Sequence, residues 1–271
     1  MPEQTVEGLV LSSKPLGEQD RLLVVLTASD GLLRLSAPGA RKPSSKLAAA
    51  LPLAQLRLQI GGGRGLRRVR QLEVLHHFGN LGERLETLAA AQALAELVLA
   101  LLGTGDPAAE HLDHLLLQLS RLEQLVRERG PELEALATLV QAGLQQLALG
   151  GYALPLQTCA RTGAPLEPPI GQWDWRCSLF PAEGLVIGAV AGAAVQLNPS
   201  ELALLQRLTR PHLPRRSSGE LLGPELVWLK LLVLLEHWCR EHLNRRLQAL
   251  RLLRSCYGNM ASQTAMPDSH P

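Results

Sequence analysis

Gln55-Leu56-Arg57-Leu58-Gln59-Ile60-Gly61-Gly62-Gly63-Arg64-Gly65-Leu66-Arg67-Arg68-Val69-Arg70-Gln71-Leu72 is the stretch on which the fold turns. Its first six residues alternate polar and apolar, the period of a strand with one buried face, which points Leu56, Leu58 and Ile60 inward and Arg57 outward. The glycines of 61–65 interrupt the pattern as a flexible loop. Arg67 to His76 then reads as another strand. Strict alternation puts Arg68, Arg70, Leu72, Val74 and His76 on one face and Arg67, Val69, Gln71, Glu73 and Leu75 on the other. Working back toward the N-terminus, Val6–Leu11 reads as a first strand, and Lys14 to Asp20 as turn chemistry built on Pro15 and Gly17. Arg21–Thr27 reads as a buried strand, Ser29-Asp30-Gly31 as a hairpin turn and Leu32–Ala37 as a third strand ending at Pro38-Gly39. A short helix fits Ser44–Leu51. Five short strands with a helix between the third and fourth is the order of an OB-fold, a barrel used for oligonucleotides.

The same region carries an unusual charge pattern. From Gly31 to Leu72 there are nine cations, Arg34, Arg41, Lys42, Lys46, Arg57, Arg64, Arg67, Arg68 and Arg70, and no Asp or Glu. Such a set repels itself and gains most when a polyanion replaces its salt ions. Any one of these side chains taken singly reads as solvated and unpartnered; as a set, on strands and turns, they read as a nucleic-acid surface. Arg41, Lys42 and Lys46 fall on a loop and helix start, and Arg64, Arg67, Arg68 and Arg70 flank the glycine-rich loop. That loop is followed by no Gly-Lys-Ser/Thr, so it is not a nucleotide-phosphate cradle. Residues 1–77 hold no Phe, Tyr or Trp. Base stacking on aromatic platforms, about 1–3 kcal/mol per base elsewhere, is therefore missing. Affinity is expected to come from phosphate neutralisation, with Arg planes as stacking substitutes.

The 271 residues suffice for two domains, and 46 % hydrophobic with 19 % charged residues describes a globular chain. The net charge of +2 hides segregation: residues 1–80 hold 11 basic and 6 acidic side chains, 81–206 hold 6 and 14, and 207–254 hold 10 and 4. The N-terminus lacks the basic and apolar regions of a signal peptide, the longest apolar run is too short to span a bilayer, and four scattered cysteines fit a reducing compartment, so a cytoplasmic protein is expected.

Gly17-Glu18-Gln19-Asp20 before an apolar strand, the Thr27…Gly31 turn, and Gly39-Ala40-Arg41-Lys42-Pro43-Ser44-Ser45-Lys46 together resemble the RecO family of bacterial DNA repair proteins. The family pattern is nearly met, with Pro38 where a Lys is usual. The resemblance implies an N-terminal OB-fold, a central helical domain and a zinc-bearing segment. It also implies binding of single- and double-stranded DNA, strand annealing, and recombinase loading in the RecFOR pathway. The implied partners are RecR and single-strand-binding protein, whose tail the family docks, with work at the nucleoid during repair.

The rest of the chain reads as α+β architecture completed by helices. Residues 79–150 form a leucine-rich helical domain, with helices over Leu81–Leu102, one carrying Leu112, Leu115, Leu116, Leu119, Leu122 and Leu125, and one carrying Leu133 to Leu149. His111 and His114 read as two surface histidines. Residues 151–200 are a degenerate zinc-knuckle segment. Cys159 and Cys177 stand where the family has two Cys-x-x-Cys knuckles, and Thr162 and Phe180 replace the second cysteines. Two thiolates cannot close a tetrahedral site, so no metal and no other cofactor is expected. Trp173, Trp175 and Phe180 are expected to staple the segment instead. Residues 201–254 complete the helical domain, with a helix from Asn198-Pro199-Ser200-Glu201 and one long helix over Pro224–Leu253. The latter shows Leu226, Leu229, Leu232, Val233, Glu236 and Leu243 on one face. Its end carries Arg245 and Arg246, a second DNA contact. His237, Cys239 and His242 lack zincin spacing and read as structural. Residues 255–271 are expected to be a disordered tail.

The function expected is that of a non-enzymatic DNA-binding recombination mediator. One rival is an interaction scaffold in which the helical body works and the barrel is an anchor. An enzyme on nucleic acid is the other rival, but no paired carboxylates, Ser–His–Asp set or metal constellation is evident.

Overall fold

The computed structural model describes residues 4–62 and 66–257. The described residues divide into two compact units: those up to 82 with 95–124, and 83–94 with those from 125 onward.

The first unit contains a closed five-stranded barrel. Its strands are β1 (Gln4–Leu16), β2 (Asp20–Thr27), β3 (Gly31–Ala37), β4 (Ala54–Gly61) and β5 (Arg67–His77), in the order β1-β2-β3-β5-β4. All neighbours are antiparallel except β3 and β5, which run parallel, and β4 closes onto β1. This is the OB order that the strand pattern predicts. The core is aliphatic, with Val10, Leu23, Val25, Leu35, Leu56, Leu58 and Ile60 fully buried. The predicted helix before Pro52 is a single 3-10 turn, Lys46–Ala49, capped by the Ser45 hydroxyl, which accepts from Leu47 N.

Two sequence expectations change here. β1 runs on through Lys14-Pro15-Leu16, so the turn shrinks to Gly17–Gln19. A bulge between Val10 and Ser12 lets Leu11 sit unpaired and reverses the alternation beyond it. β5 does not alternate strictly either. Ile60 pairs with Val69 but Gln59 with Gln71, which leaves Arg70 as the extra residue of a bulge. Val69 and Leu72, predicted on opposite faces, both point at the core.

The rest of this unit is the C-terminal part of α1 (Leu85–Leu101) and most of α2 (Ala109–Arg127). Residues between the two helices dock on the β2–β3 hairpin, where Gly105 N donates to Asp30 O and Ala108 N to Ala28 O. Gly31 makes this possible. Its φ is +59°, and a Cβ there would lie 2.2 Å from Asp106 O. Thr27 locks the hairpin: its hydroxyl donates to Gly31 O and accepts from Asp30 N. Leu112, Leu115, Leu119 and Leu122 of α2 are buried as their spacing requires. His111 is buried as well, not the surface residue expected, while His114 is half-buried and lies 3.3 Å from Gln118 Nε2.

The second unit is built on α3 (Leu133–Leu149) and α5 (Glu225–Leu243), with α4 (Pro199–Arg207) and α6 (Gln248–Tyr257). α3 and α5 pack closely because Gly143 has no side chain; a Cβ there would meet Leu235 Cδ2 at 2.7 Å. The buried face of α5 is Trp228, Leu231, Leu232, Leu235, Trp238 and Cys239, whereas Leu226, grouped with Leu232 on one face in the sequence pattern, is 73 % exposed. α4 opens with a capping box, Asn198 Oδ1 accepting from Glu201 N and Glu201 Oε2 from Asn198 N. The long C-terminal helix is in fact two, because Asn244 adopts φ 49° and ends α5. α6 carries the chain through Ser255–Tyr257, the first residues of the expected tail; Tyr257 Oη donates to Glu132 O at 2.7 Å, and residues 258–271 lie outside the described part. Among the described residues no helix is long and apolar enough to cross a membrane.

The knuckle segment of this unit forms a three-stranded sheet, β7-β6-β8, from β6 (Cys177–Phe180), β7 (Gly184–Ile187) and β8 (Val195–Leu197). Cys159 and Cys177 are both buried. Cys159 sulfur accepts from Ile187 N at 3.4 Å. Burial works to raise its pKa, but hydrogen bonds from the Thr162 side chain and from the amides of Ile187, Thr162 and Arg161 together bring it down to about 7. Cys177 is pushed up to about 12 by burial and by the nearby Cys159. The other two knuckle positions offer a hydroxyl already bonded to Cys159 and a phenyl ring under the Arg161 guanidinium, 4.4 Å away. Arg161 also forms a two-pronged ion pair with Glu183 at 2.7 and 3.0 Å. This donor set does not fit a structural zinc. The aromatic staple is Phe180 with Arg161; Trp173 takes no part, being 65 % exposed.

Candidate nucleic-acid interface

Strand pairing sorts the barrel's cations onto two walls. Lys14 of β1 lies opposite Leu22 of β2, Leu22 opposite Ser36 of β3, and Ser36 opposite Arg68 of β5. Their neighbours Leu23 and Leu35 belong to the core, so this row faces outward. Arg34 shares the face, two residues before Ser36 and opposite Val24. With strands about 4.8 Å apart and about 6.7 Å per two residues, the Cα atoms of Arg34 and Arg68 lie roughly 8 Å apart. Lys14, Arg34 and Arg68 are exposed, with no hydrogen bond or ion pair among the described residues. Lys14 escaped the sequence reading. Counting by twos from Val10 turns it inward, and only the Leu11 bulge brings it out.

The opposite wall holds Arg57 on β4. It points outward as expected, but it is not a free cation. Arg57 Nε donates to Glu7 of β1 at 2.8 Å and Nη1 to Glu73 of β5 at 2.6 Å. These hydrogen bonds, Glu7 first, with the attraction of both carboxylates, raise the guanidinium pKa further. A stretch without acidic residues thus acquires counter-charges from flanking strands. One cation between two carboxylates leaves no free positive charge at this position.

The loop after β3 is fastened to the β1–β2 turn by the residues that carry the family resemblance. Gly39 N donates to Asp20 Oδ1 at 2.8 Å, Arg41 N to Gln19 O at 2.9 Å, and Arg41 Nη1 to Gly17 O at 2.9 Å. Arg41 therefore both clamps the loop and displays charge. Lys42 and Lys46 follow it, both exposed. At the other end of the wall, Arg67 bonds Gln4 Oε1 while Ser36 Oγ donates to Arg67 O. Arg70 stands exposed on its bulge. Arg64 lies outside the described residues. In OB-folds the face of strands 2 and 3, with the loops joining strands 1–2 and 4–5, takes oligonucleotide. Here that location collects Lys14, Arg34, Arg41, Lys42 and Arg68, and Arg57 is excluded from it. Arg245 and Arg246 belong to the other unit, in the connection between α5 and α6.

Comparison with known proteins gives the chain its family. Residues 1–78 fit the family described as recombination protein O N terminal, and residues 82–251 the one described as recombination protein O C terminal. The chain is 60 % identical over 255 residues to the DNA repair protein RecO of Synechococcus sp. (strain WH7803), covering 94 % of each chain. It is 57 % identical over 253 residues to that of Prochlorococcus marinus (strain MIT 9313), covering 93 % of this chain and 95 % of the relative. With the RecO of Cyanothece sp. (strain PCC 7425 / ATCC 29141) it shares 33 % over 286 residues, covering 94 % and 96 %. The barrel, its fastened loop and these matches across nearly the whole chain make this protein a member of the RecO family of DNA repair proteins.

Proposed function

We propose that the protein binds single- and double-stranded DNA on the β1–β2–β3–β5 wall of the barrel and promotes annealing of complementary strands. The observation that carries this reading is the sorting of charge: Lys14, Arg34 and Arg68 project from one wall without an ion pair, Asp20 of that wall being engaged by Gly39 N, while Arg57 is ion-paired on the other. Guanidinium and ammonium groups neutralise phosphates and lower the repulsion between two strands, and no bond is made or broken. The aromatic-free barrel makes the attraction ionic in origin, so preference between strand types is weak. Membership of the RecO family supports the further roles of loading recombinase with RecR and acting on DNA coated by single-strand-binding protein.

Binding of a labelled oligonucleotide to the full chain, titrated with salt, tests the reading. The expected logarithmic slope is steep, about 0.7–0.9 for each phosphate contacted. Affinity that stays flat from low to high salt, or annealing that survives loss of Arg34 and Arg68, would return the protein to a helical scaffold with an idle barrel.

A further inference from the structure

α5 and α6 meet at a corner that the barrel's role leaves unused. Asn244 ends α5 in the left-handed region, and the chain turns through Arg245, Arg246 and the buried Leu247 into α6. Ala249, Leu250, Leu253 and Tyr257 anchor α6 to its unit, which leaves Arg251 and Arg254 exposed. A hollow of about 360 Å³ lies at this corner. Five guanidinium groups line it, those of Arg240, Arg245, Arg246, Arg251 and Arg254.

The counter-charge is small. Glu236 is the one carboxylate in the lining, bonded to Arg254 at 3.0 Å. Arg240 bonds Nδ1 of His237 at 2.9 Å, which makes that nitrogen an acceptor and the imidazole neutral. Burial, then the charge of Arg240, lowers the His237 pKa in agreement. Arg245, Arg246 and Arg251 have no hydrogen bond or ion pair among the described residues. The hollow thus holds four positive charges beyond its one carboxylate. The helices account for this excess only in part. The end of α5 suits Arg240 and, just past its cap, Arg245, but Arg251 stands in the first turn of α6, where the helix already carries positive partial charge.

We propose that this hollow seats backbone phosphate of a polynucleotide strand, a second nucleic-acid site independent of the barrel wall. The proposal rests on the reading that this protein works on polynucleotide. Guanidinium forks match phosphate oxygens two at a time. Cys239, Leu247 and Leu250 of its lining are buried, so what the hollow presents is chiefly guanidinium. A chain with two separate phosphate sites holds two strands at once, which annealing requires.

The test uses the full chain and a fluorescein-labelled oligo-dT, followed by anisotropy. Arg34→Glu/Arg68→Glu disables the barrel wall, and Arg245→Ala/Arg246→Ala/Arg251→Ala removes three exposed groups that make no internal bond; thermal melts confirm that each variant folds. The barrel variant is expected to keep salt-sensitive binding, to whose slope the hollow contributes about 2, three contacts at about 0.7 each. Adding the triple substitution is expected to cut that residual affinity at least tenfold. The triple substitution alone is expected to slow annealing about fivefold, with first-strand affinity within threefold of the parent. Residual binding that is absent, or indifferent to the triple substitution, overturns the proposal. So does displacement of the strand by inorganic phosphate or poly-glutamate at equal charge concentration, which would assign the hollow to a free anion or an acidic peptide. Unchanged binding by the barrel variant instead breaks the barrel reading, and the triple substitution still reports on the hollow.

Discussion

Arg57 and Arg34 occupy equivalent places on one barrel. Each projects outward from the middle of a strand, and each belongs to the same acid-free stretch of sequence. Arg57 is flanked across its strands by Glu7 and Glu73, whereas Arg34 faces Val24 on β2 and has no carboxylate beside it. The two side chains therefore differ in what they offer a polyanion, although a charge count treats them alike. Exposed pairs such as those of Arg57 stabilise a fold by little, because solvent screens them. Their effect is on availability: a guanidinium already donating to two carboxylates gains less from a phosphate. Strand order decides which cations are silent.

Substitutions that invert or erase this difference give the largest effects. Arg34→Glu/Arg68→Glu is expected to weaken oligonucleotide binding more than tenfold at moderate salt and to lower the logarithmic salt slope by about 1.4–1.8, two contacts at 0.7–0.9 each. Equal loss from Arg57→Glu would erase the distinction between the walls. Asp20→Ala removes the acceptor for Gly39 N. Losing that hydrogen bond is expected to cost about 1 kcal/mol in urea unfolding. It also frees the loop bearing Lys42 and Lys46, with affinity falling a few fold. Glu7→Gln/Glu73→Gln unpairs Arg57 and is the sharpest test of silencing. Affinity is expected to rise about twofold and the slope to steepen by up to about 0.9, one added contact; no gain would mean that position on the barrel, not pairing, keeps Arg57 idle.

The smallest effects belong to the knuckle segment of the second unit, where the Arg161–Glu183 pair serves the fold. The hydrogen bond from Arg161, opposed by burial and aided by the Arg161 charge, holds the Glu183 carboxyl below its ordinary value. A carboxyl depressed in the folded state adds stability above its unfolded pKa and loses it as pH falls through the folded one. The melting temperature of the parent should therefore exceed that of Glu183→Gln at pH 6, and the gap should close as the pH is taken below the ordinary carboxylate range. Chelator treatment is expected to leave the melting temperature unchanged, because Phe180 and Thr162 occupy the knuckle positions; a drop after chelation would show that Cys159 and Cys177 hold metal after all.

The strands of the barrel and the helices α2 and α3 were legible because each repeats its hydrophobic period over many residues: Leu56, Leu58 and Ile60 on one, Leu112, Leu115, Leu119 and Leu122 on another. Local chemistry also spoke for itself at Thr27–Gly31 and at Asn198–Glu201, where each donor and acceptor lies within four residues of its partner. Single-residue events were not legible. The bulges at Leu11 and Arg70 each shift the alternation by one, which turns Lys14 outward and separates Arg68 from Leu72. Asn244 looks like any helical polar residue until its backbone turns left-handed and splits the last helix in two. His111 carries no signal in its neighbours to say that it is buried.

The sequence by itself determined the barrel, the helical remainder, the family and the surplus of cations, since hydrophobic period, turn residues and charge are local and survive being read in a line. Tertiary structure alone decided which cations stand free. Arg57 meets Glu7 across 50 positions of chain and Glu73 across 16, and those encounters exist only once β4 has closed between β1 and β5. Electrostatic attraction falls off with distance in space and takes no account of separation along the chain, so the charge that a strand will feel had to wait for the barrel to close.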